Sequence, residues 1–440
     1  MKNSLTEIFG DSLSQETMNS IRNDLVDYNS KEIEKLSFTR TEQDSEQYEN
    51  VKLDLYLMAS LFPEFDWPLI RLCSLLKKWT NGYTQELYEN AREAFSIRQS
   101  HDAFVYTCRG ILANYPITDS LNLLNDVISS TEDEQLRNIG KIFLSICAYE
   151  NGDFLEFEKL ISDFRETKDT DYNPYISIPV STVFVEQEIP DEPENFSKNF
   201  GKFSEFDIDG AEYIISCSSD MVYFRLYGEF IVKSFEHTCS KEAALHISIV
   251  DGDDVEINAL LNSWGSTRTF FTNHKQKLSQ NYGPIASLIR FISVSELLKF
   301  SKLPILVMDL DCVISNPLMK IISDNCNSHI GSRILKIGVA PWEKYTGGFA
   351  IFYPSEITQA VADNIRKISL SQIRDDVDQW WIDQNCFEAG IRYATKSGFE
   401  VIVSDLFSGR DEYCFMPVGP QNSKLFSLKR ELDKVLQKNQ

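Results

Sequence analysis

The apolar positions of this chain follow two rhythms. Between about residues 51 and 165 they recur three and four apart, the spacing of one helix face. Asp66-Trp67-Pro68 reads as a helix start, with proline in the first turn, and Leu69, Leu72, Cys73, Leu76 and Trp79 follow on one side. Asn81-Gly82 ends that helix. Leu87, Ala91, Ala94 and Phe95 mark a second, and Ala103 to Tyr115 a third, with Pro116 as a breaker. Leu121, Leu124 and Ile128 continue the series, then Leu136, Ile139, Phe143 and Ile146. Gly152 makes a turn before Phe154, Phe157, Leu160, Ile161 and Phe164.

After Tyr213 the rhythm changes. Short apolar runs at Tyr213 to Cys217, Ala244 to Val250 and Thr267 to Phe271 read as strands. Helical patterns at Val222 to Phe235, Val255 to Asn262 and Ala286 to Phe300 separate them. This βαβαβ alternation predicts a mostly parallel sheet with helices on both faces, an α/β fold behind an all-helical region. Further on, the pattern predicts a strand or connection at Ile334 to Val339 and a strand at Tyr345 to Phe352. Helices are predicted near 356–369 and 379–389, a strand at Glu400 to Val403, and a last helix from about Leu425.

The boundaries follow from these changes. Residues 1–50 form a polar, acidic segment with weak helical periodicity, and 51–165 a helical domain. Residues 166–205 are a linker punctuated by Pro174, Pro179, Pro190 and Pro193, with one strand near Val183; 206–440 form the α/β domain. Helical units start near 68, 102 and 134. That period of about 33 residues resembles tetratricopeptide-like hairpins, without their full signature. Such an array offers a concave surface for a peptide or protein; a plain helical cap fits the same pattern.

The chemistry concentrates in Leu303 to Val313. A run apolar at every position reads as a strand buried on both faces, and it ends in Asp309-Leu310-Asp311. Ligands of parallel sheets bind beyond the carboxyl ends of the strands. Two carboxylates two residues apart repel unless a cation joins them, and hard oxygen ligands suit Mn²⁺ or Mg²⁺. The expected metal ligands are therefore Asp309 and Asp311. The reading requires both acids to face open space and not a lysine.

Composition narrows the function. Hydrophobic residues make up 42% and charged residues 25%, the profile of a packed globular protein. A net charge of −23 without a basic cluster argues against nucleic acid or an anionic membrane surface as partner. No apolar run is long enough for a membrane span. Nine scattered cysteines without C-x-x-C spacing, and an opening at Met1 to Ser4 without a signal-peptide core, fit reduced thiols in a cytoplasmic protein.

Taken in order, the second half, about 210–415, resembles GT-A glycosyltransferases of the glycogenin and lipopolysaccharide galactosyltransferase type. Four stretches carry the resemblance: Ser218-Ser219-Asp220 with Tyr223; Tyr282 and Arg290 before the acidic strand; Asp309-Leu310-Asp311 with Asn316-Pro317-Leu318; and Gly347-Gly348-Phe349 with Trp381-Ile382-Asp383-Gln384-Asn385. It implies a metal-dependent transfer of a hexose, with retention of anomeric configuration, from a nucleoside-diphosphate sugar to a glycan or protein acceptor. It also implies roles. Ser218, Asp220, Tyr223, Arg290, Asp309, Gly347 and Gly348 bind the sugar nucleotide. Asp383 binds sugar hydroxyls, and Gln384 lies under the reacting carbon. One departure stands out: where that family has a metal-binding histidine in an H-F-x-G stretch, Leu406-Phe407-Ser408-Gly409 has leucine. None of His101, His237, His246, His274 and His329 lies late enough to replace it, and Asp405 is the adjacent alternative.

Two other readings use the same residues. In a haloacid-dehalogenase-like phosphatase, Asp309 is a nucleophile and Asp375-Asp376 supplies the late acids. In a degenerate transferase fold, the site binds without turnover, a reading that the missing histidine favours.

Overall fold

A computed structural model describes residues 42–166, 208–275, 282–335, 338–373, 382–406, 413–417 and 420–438. The predicted N-terminal segment up to 41, most of the linker with the Val183 strand, Asp375-Asp376, Trp381 and Phe407 to Gly409 lie outside the described residues. The chain divides into two compact units, Met1–Ser177 with Lys336–Pro341, and the remainder.

The described part of the first unit carries helices α1 (Glu42–Leu61), α2 (Trp67–Thr80), α3 (Gln85–Ile97), α4 (His101–Asn114), α5 (Ile117–Ser130), α6 (Glu134–Glu150) and α7 (Phe154–Glu166). The expected helix ends hold. Pro68 sits in the first turn of α2, and Asn81 ends it in the left-handed region at φ 53°. Thr84 caps α3 through the Leu87 amide, and Asp133 caps α6 through that of Gln135. Leu55, Leu72, Cys73, Leu76, Leu87 and Ala91 share one buried core, and Tyr48 stacks on Trp79 with ring centres 4.5 Å apart. α1 runs through residue 50, where the sequence pattern places a boundary.

The second unit is α/β, the expected class. Its strands are β1 (Tyr213–Asp220), β2 (Ala243–Val250), β3 (Thr269–His274), β4 (Ile305–Met308), β6 (Ile330–Ile334), β7 (Tyr345–Phe352) and β8 (Val403–Asp405), in the order β3-β2-β1-β4-β7-β6-β8. A two-stranded ladder of β5 (Val313–Ile314) and β9 (Cys414–Phe415) stands apart. The helices are α8 (Met221–Thr238), α9 (Asp254–Ser263), α10 (Tyr282–Ser301), α11 (Met319–Asp324), α12 (Glu356–Gln372), α13 (Ile382–Lys396) and α14 (Gln421–Gln437).

Alternation along β1 builds both cores. Tyr213, Ile215 and Cys217 point to the side of α8 and α14, and Ile214 to the side of α10, α12 and α13. The pattern missed two things. β7 is antiparallel to both neighbours, β4 and β6. The strand expected at Ile334 to Val339 lies earlier, at Ile330–Ile334, and pairs on both sides. The β4–β7 pairing matters for function: it sets Met308 opposite Phe349, so the start of β7 lies beside the end of β4.

Candidate active site

β4 stops at Met308, so Asp309 and Asp311 lie in the turn beyond it and not on one face of a strand. The Asp309 amide donates to the Gly348 carbonyl at 3.2 Å, which extends the β4–β7 ladder by one bond. The two acids then go to different partners. Asp309 Oδ1 receives Arg290 Nη1, and its side chain stays 42% exposed. Asp311 is buried, and its Oδ2 meets the Lys424 ammonium and accepts from Tyr223 Oη at 2.7 Å. Facing open space is thus true of Asp309 and untrue of Asp311.

Arg290 joins a third acid. Its Nη2 donates to Asp383 Oδ2, and Asp383 is 2% exposed in the first turn of α13. One guanidinium therefore bridges Asp309 and Asp383. Burial works against the Arg290 charge, but the two acids more than offset it and hold its pKa above its ordinary high value. Burial also pushes the Asp383 carboxyl up, against the pull of Arg290. Asp383, a buried carboxylate, thus shares one guanidinium with a second acid, and removing that arginine would leave its charge unpaired.

Two glycines make room for this. A Cβ on Gly347 would sit 2.5 Å from Asp383 Oδ2 and 3.3 Å from Arg290 Nη2. A Cβ on Gly348 would run into Asp309 Oδ2. Neither glycine has a positive φ, so close approach and not backbone freedom requires them.

The other predicted residues divide. Asp220 caps α8 through the Tyr223 amide at 2.7 Å, which aims Tyr223 at Asp311. Ser218 donates to the Ala286 carbonyl at 2.5 Å and ties β1 to α10, the helix that carries Arg290. Gln384 is half-buried beside Asp383. Tyr282 starts α10, and its side chain lies outside what is described. Burial, then the charge of Asp309, raises the Tyr223 hydroxyl pKa well above its usual value.

Lys424 is the residue that sequence reading missed. It lies in the first turn of α14, far in sequence from any motif. Its Nζ is 3.2 Å from Tyr223 Oη and stands over the Tyr223 and Tyr227 rings at 5.9 and 5.6 Å. Burial lowers its pKa, and Asp309 acts in the opposite sense.

The residues do not fit the expected Mn²⁺ or Mg²⁺. Each candidate carboxylate already carries a cation of the protein, and the two are turned to different partners. Among the described residues no group of three or more histidine, cysteine, aspartate or glutamate side chains is placed to hold a metal ion. Leu406, at the histidine position of the resemblance, is a core residue packed against Gly331. Asp405 accepts from the Ile334 amide at 3.2 Å.

No protein-family model matches the chain, and no curated protein matches it in sequence. Solved structures similar to it include the glycosyltransferase GlyE of Streptococcus pneumoniae TIGR4, at 9% identity over 52% of this chain and 64% of that one, TM-score 0.32. The galactosyltransferase LgtC, solved with donor and acceptor sugar analogues, is 15% identical over 50% of this chain and 95% of that one, TM-score 0.34. Mouse xyloside xylosyltransferase 1 is 11% identical over 44% and 84%, TM-score 0.29. This chain spans less than two thirds of the GlyE chain. Among the described residues no helix is long and apolar enough to cross a membrane.

Proposed function

We propose that the α/β unit is a GT-A-type glycosyltransferase that moves a hexose from a nucleoside-diphosphate sugar to a glycan or protein acceptor. One observation carries the reading. Asp309, Asp311 and Asp383 converge with Arg290 and Lys424 around Gly347 and Gly348, beyond the carboxyl ends of the parallel strands β1 and β4.

The chemistry asks for such a set. The acceptor hydroxyl oxygen bonds to the anomeric carbon while that carbon's bond to the diphosphate oxygen breaks. The electron pair of the broken bond leaves on the diphosphate, and the hydroxyl proton passes to the departing phosphate. Fixed cations aimed at that growing charge stabilise the transition state more than the ground state. Asp309, the exposed acid, accepts from a sugar hydroxyl. Asp383 is too buried to do so and instead sets the Arg290 fork. The backbone of Gly347 and Gly348 lets the sugar approach closely. Retention of anomeric configuration is what the resemblance implies. The helical unit recruits the acceptor or a protein partner.

Asp309 is a poor phosphatase nucleophile, because its pairing with Arg290 draws off the charge that an attacking oxygen needs. The discriminating experiment incubates the full chain with a panel of sugar nucleotides and with an aryl phosphate. Release of a nucleoside diphosphate, reduced in Asp309→Asn, is the expected result. Phosphate release from the aryl phosphate alone would replace the transferase reading with the phosphatase one.

A further inference from the structure

Three side chains from three elements close a triangle in this site. Lys424 of α14 ion-pairs with Asp311 Oδ2 and donates to Tyr223 Oη at 3.2 Å, and Tyr223 of α8 donates to the same Asp311 oxygen at 2.7 Å. The donor and acceptor roles are consistent around the ring. The tyrosine oxygen receives from the ammonium and passes its own proton toward the carboxylate. Tyr223 and Tyr227 also offer their ring faces to the ammonium, a further attraction for a positive charge. Burial of Asp311 strengthens every one of these contacts.

This is the position at which the sequence motif leads one to expect a divalent ion. An incoming ion at Asp311 would meet an ammonium already in contact with the ligand oxygen, and like charges a few ångströms apart repel strongly in a partly buried site. An ammonium has three N–H donors, of which Asp311 and Tyr223 take two. Among the described residues no third partner receives the last one. Arg290 adds a second fixed cation on the Asp309 side of the same turn.

We propose that Lys424 is the resident cation of this site, and that the donor diphosphate is bound and released against Lys424 and Arg290 without a divalent ion. The proposal rests on the sugar-nucleotide reading above and says how that reaction is served. When the anomeric carbon–oxygen bond breaks and its electron pair leaves on the diphosphate, the Lys424 ammonium offsets the added charge and keeps its own protons. The acceptor proton goes to the departing phosphate, as before. Lys424 thus supplies the charge stabilisation for which the Asp-x-Asp pattern ordinarily enlists a metal.

The test is binding of UDP, GDP and ADP to the full chain by titration calorimetry, in EDTA and in MnCl₂, for the wild type and Lys424→Ala. One of the three is expected to bind the wild type with a Kd that changes less than about threefold between the two conditions. Lys424→Ala is expected to lose at least about tenfold in EDTA, the loss typical of one charge-assisted hydrogen bond. If the alanine variant melts early, Lys424→Met keeps most of the stem and serves in its place. Wild-type binding that vanishes in EDTA, or a Lys424 variant that binds like wild type in EDTA, overturns the proposal and leaves the sugar-nucleotide reading standing. No binding of any of the three under either condition removes both.

Discussion

The backbone of Gly347 lies so close to Asp383 that a single methyl group there would come within 2.5 Å of the carboxylate oxygen. Real Cβ contacts are almost never that short, so Gly347→Ala must move a carboxylate that Arg290 holds in place. A displacement approaching 1 Å at a positioning group costs about 100-fold in rate. Gly347→Ala is therefore expected to cut donor turnover by about that factor with little loss of secondary structure, read by sugar-nucleotide hydrolysis beside circular dichroism.

Among the described residues, Arg290 is the cation paired with the buried Asp383. Removing one partner of a buried pair costs about 3–5 kcal/mol, because the remaining charge stays out of water. Arg290→Ala should lose stability in that range. Arg290→Ala with Asp383→Asn should recover part of it, since a neutral amide needs no counter-charge. Urea unfolding of the three chains decides; equal stability of the single and double variants would mean that Asp383 is not charged in the native state.

His246 gives a pH dependence. It is fully buried between Ser216 Oγ at 3.1 Å and Thr272 Oγ1 at 2.9 Å. Burial, then the nearby His274, lowers its pKa to about 3 from the ordinary 6.5. The unfolded chain takes up the proton first as pH falls. Stability from neutral His246 is thus complete above about pH 6.5 and drains away as pH falls toward 3. Between pH 6.5 and 5 this amounts to about 2 kcal/mol. His246→Asn should show a flatter decline over that interval, measured by urea midpoints against wild type.

In the helical unit, Gly110 meets Tyr88. A Cβ there would lie 2.8 Å from the Tyr88 Cβ and 3.1 Å from its Cα. Alanine gains about 1 kcal/mol of helix propensity over glycine, but overpacking against backbone costs about 1–3 kcal/mol. The clash wins, so Gly110→Ala should lower the melting temperature of the full chain; an increase would show that α3 and α4 can separate at little cost.

Much of the fold was legible because its signals are local. Pro68 and Asn81-Gly82 mark the ends of α2 through backbone rules that act within a few residues. The wholly apolar run before Asp309 reads as a strand buried on both faces, and β4 is buried at every position. Direction was not legible: β7 has the composition of any buried strand, and its antiparallel course is set by the chain's path between strands.

The site divides along the same line. The sequence by itself determined the strand, the two acids that follow it, and the glycine pair, since each is written in consecutive residues. Only the tertiary structure decided which charge answers which. Arg290 reaches both Asp309 and Asp383, and Lys424 comes from the last helix to stand on Asp311. Residue order carries no record of such meetings, because Coulomb attraction depends on distance in space and folding alone sets that distance.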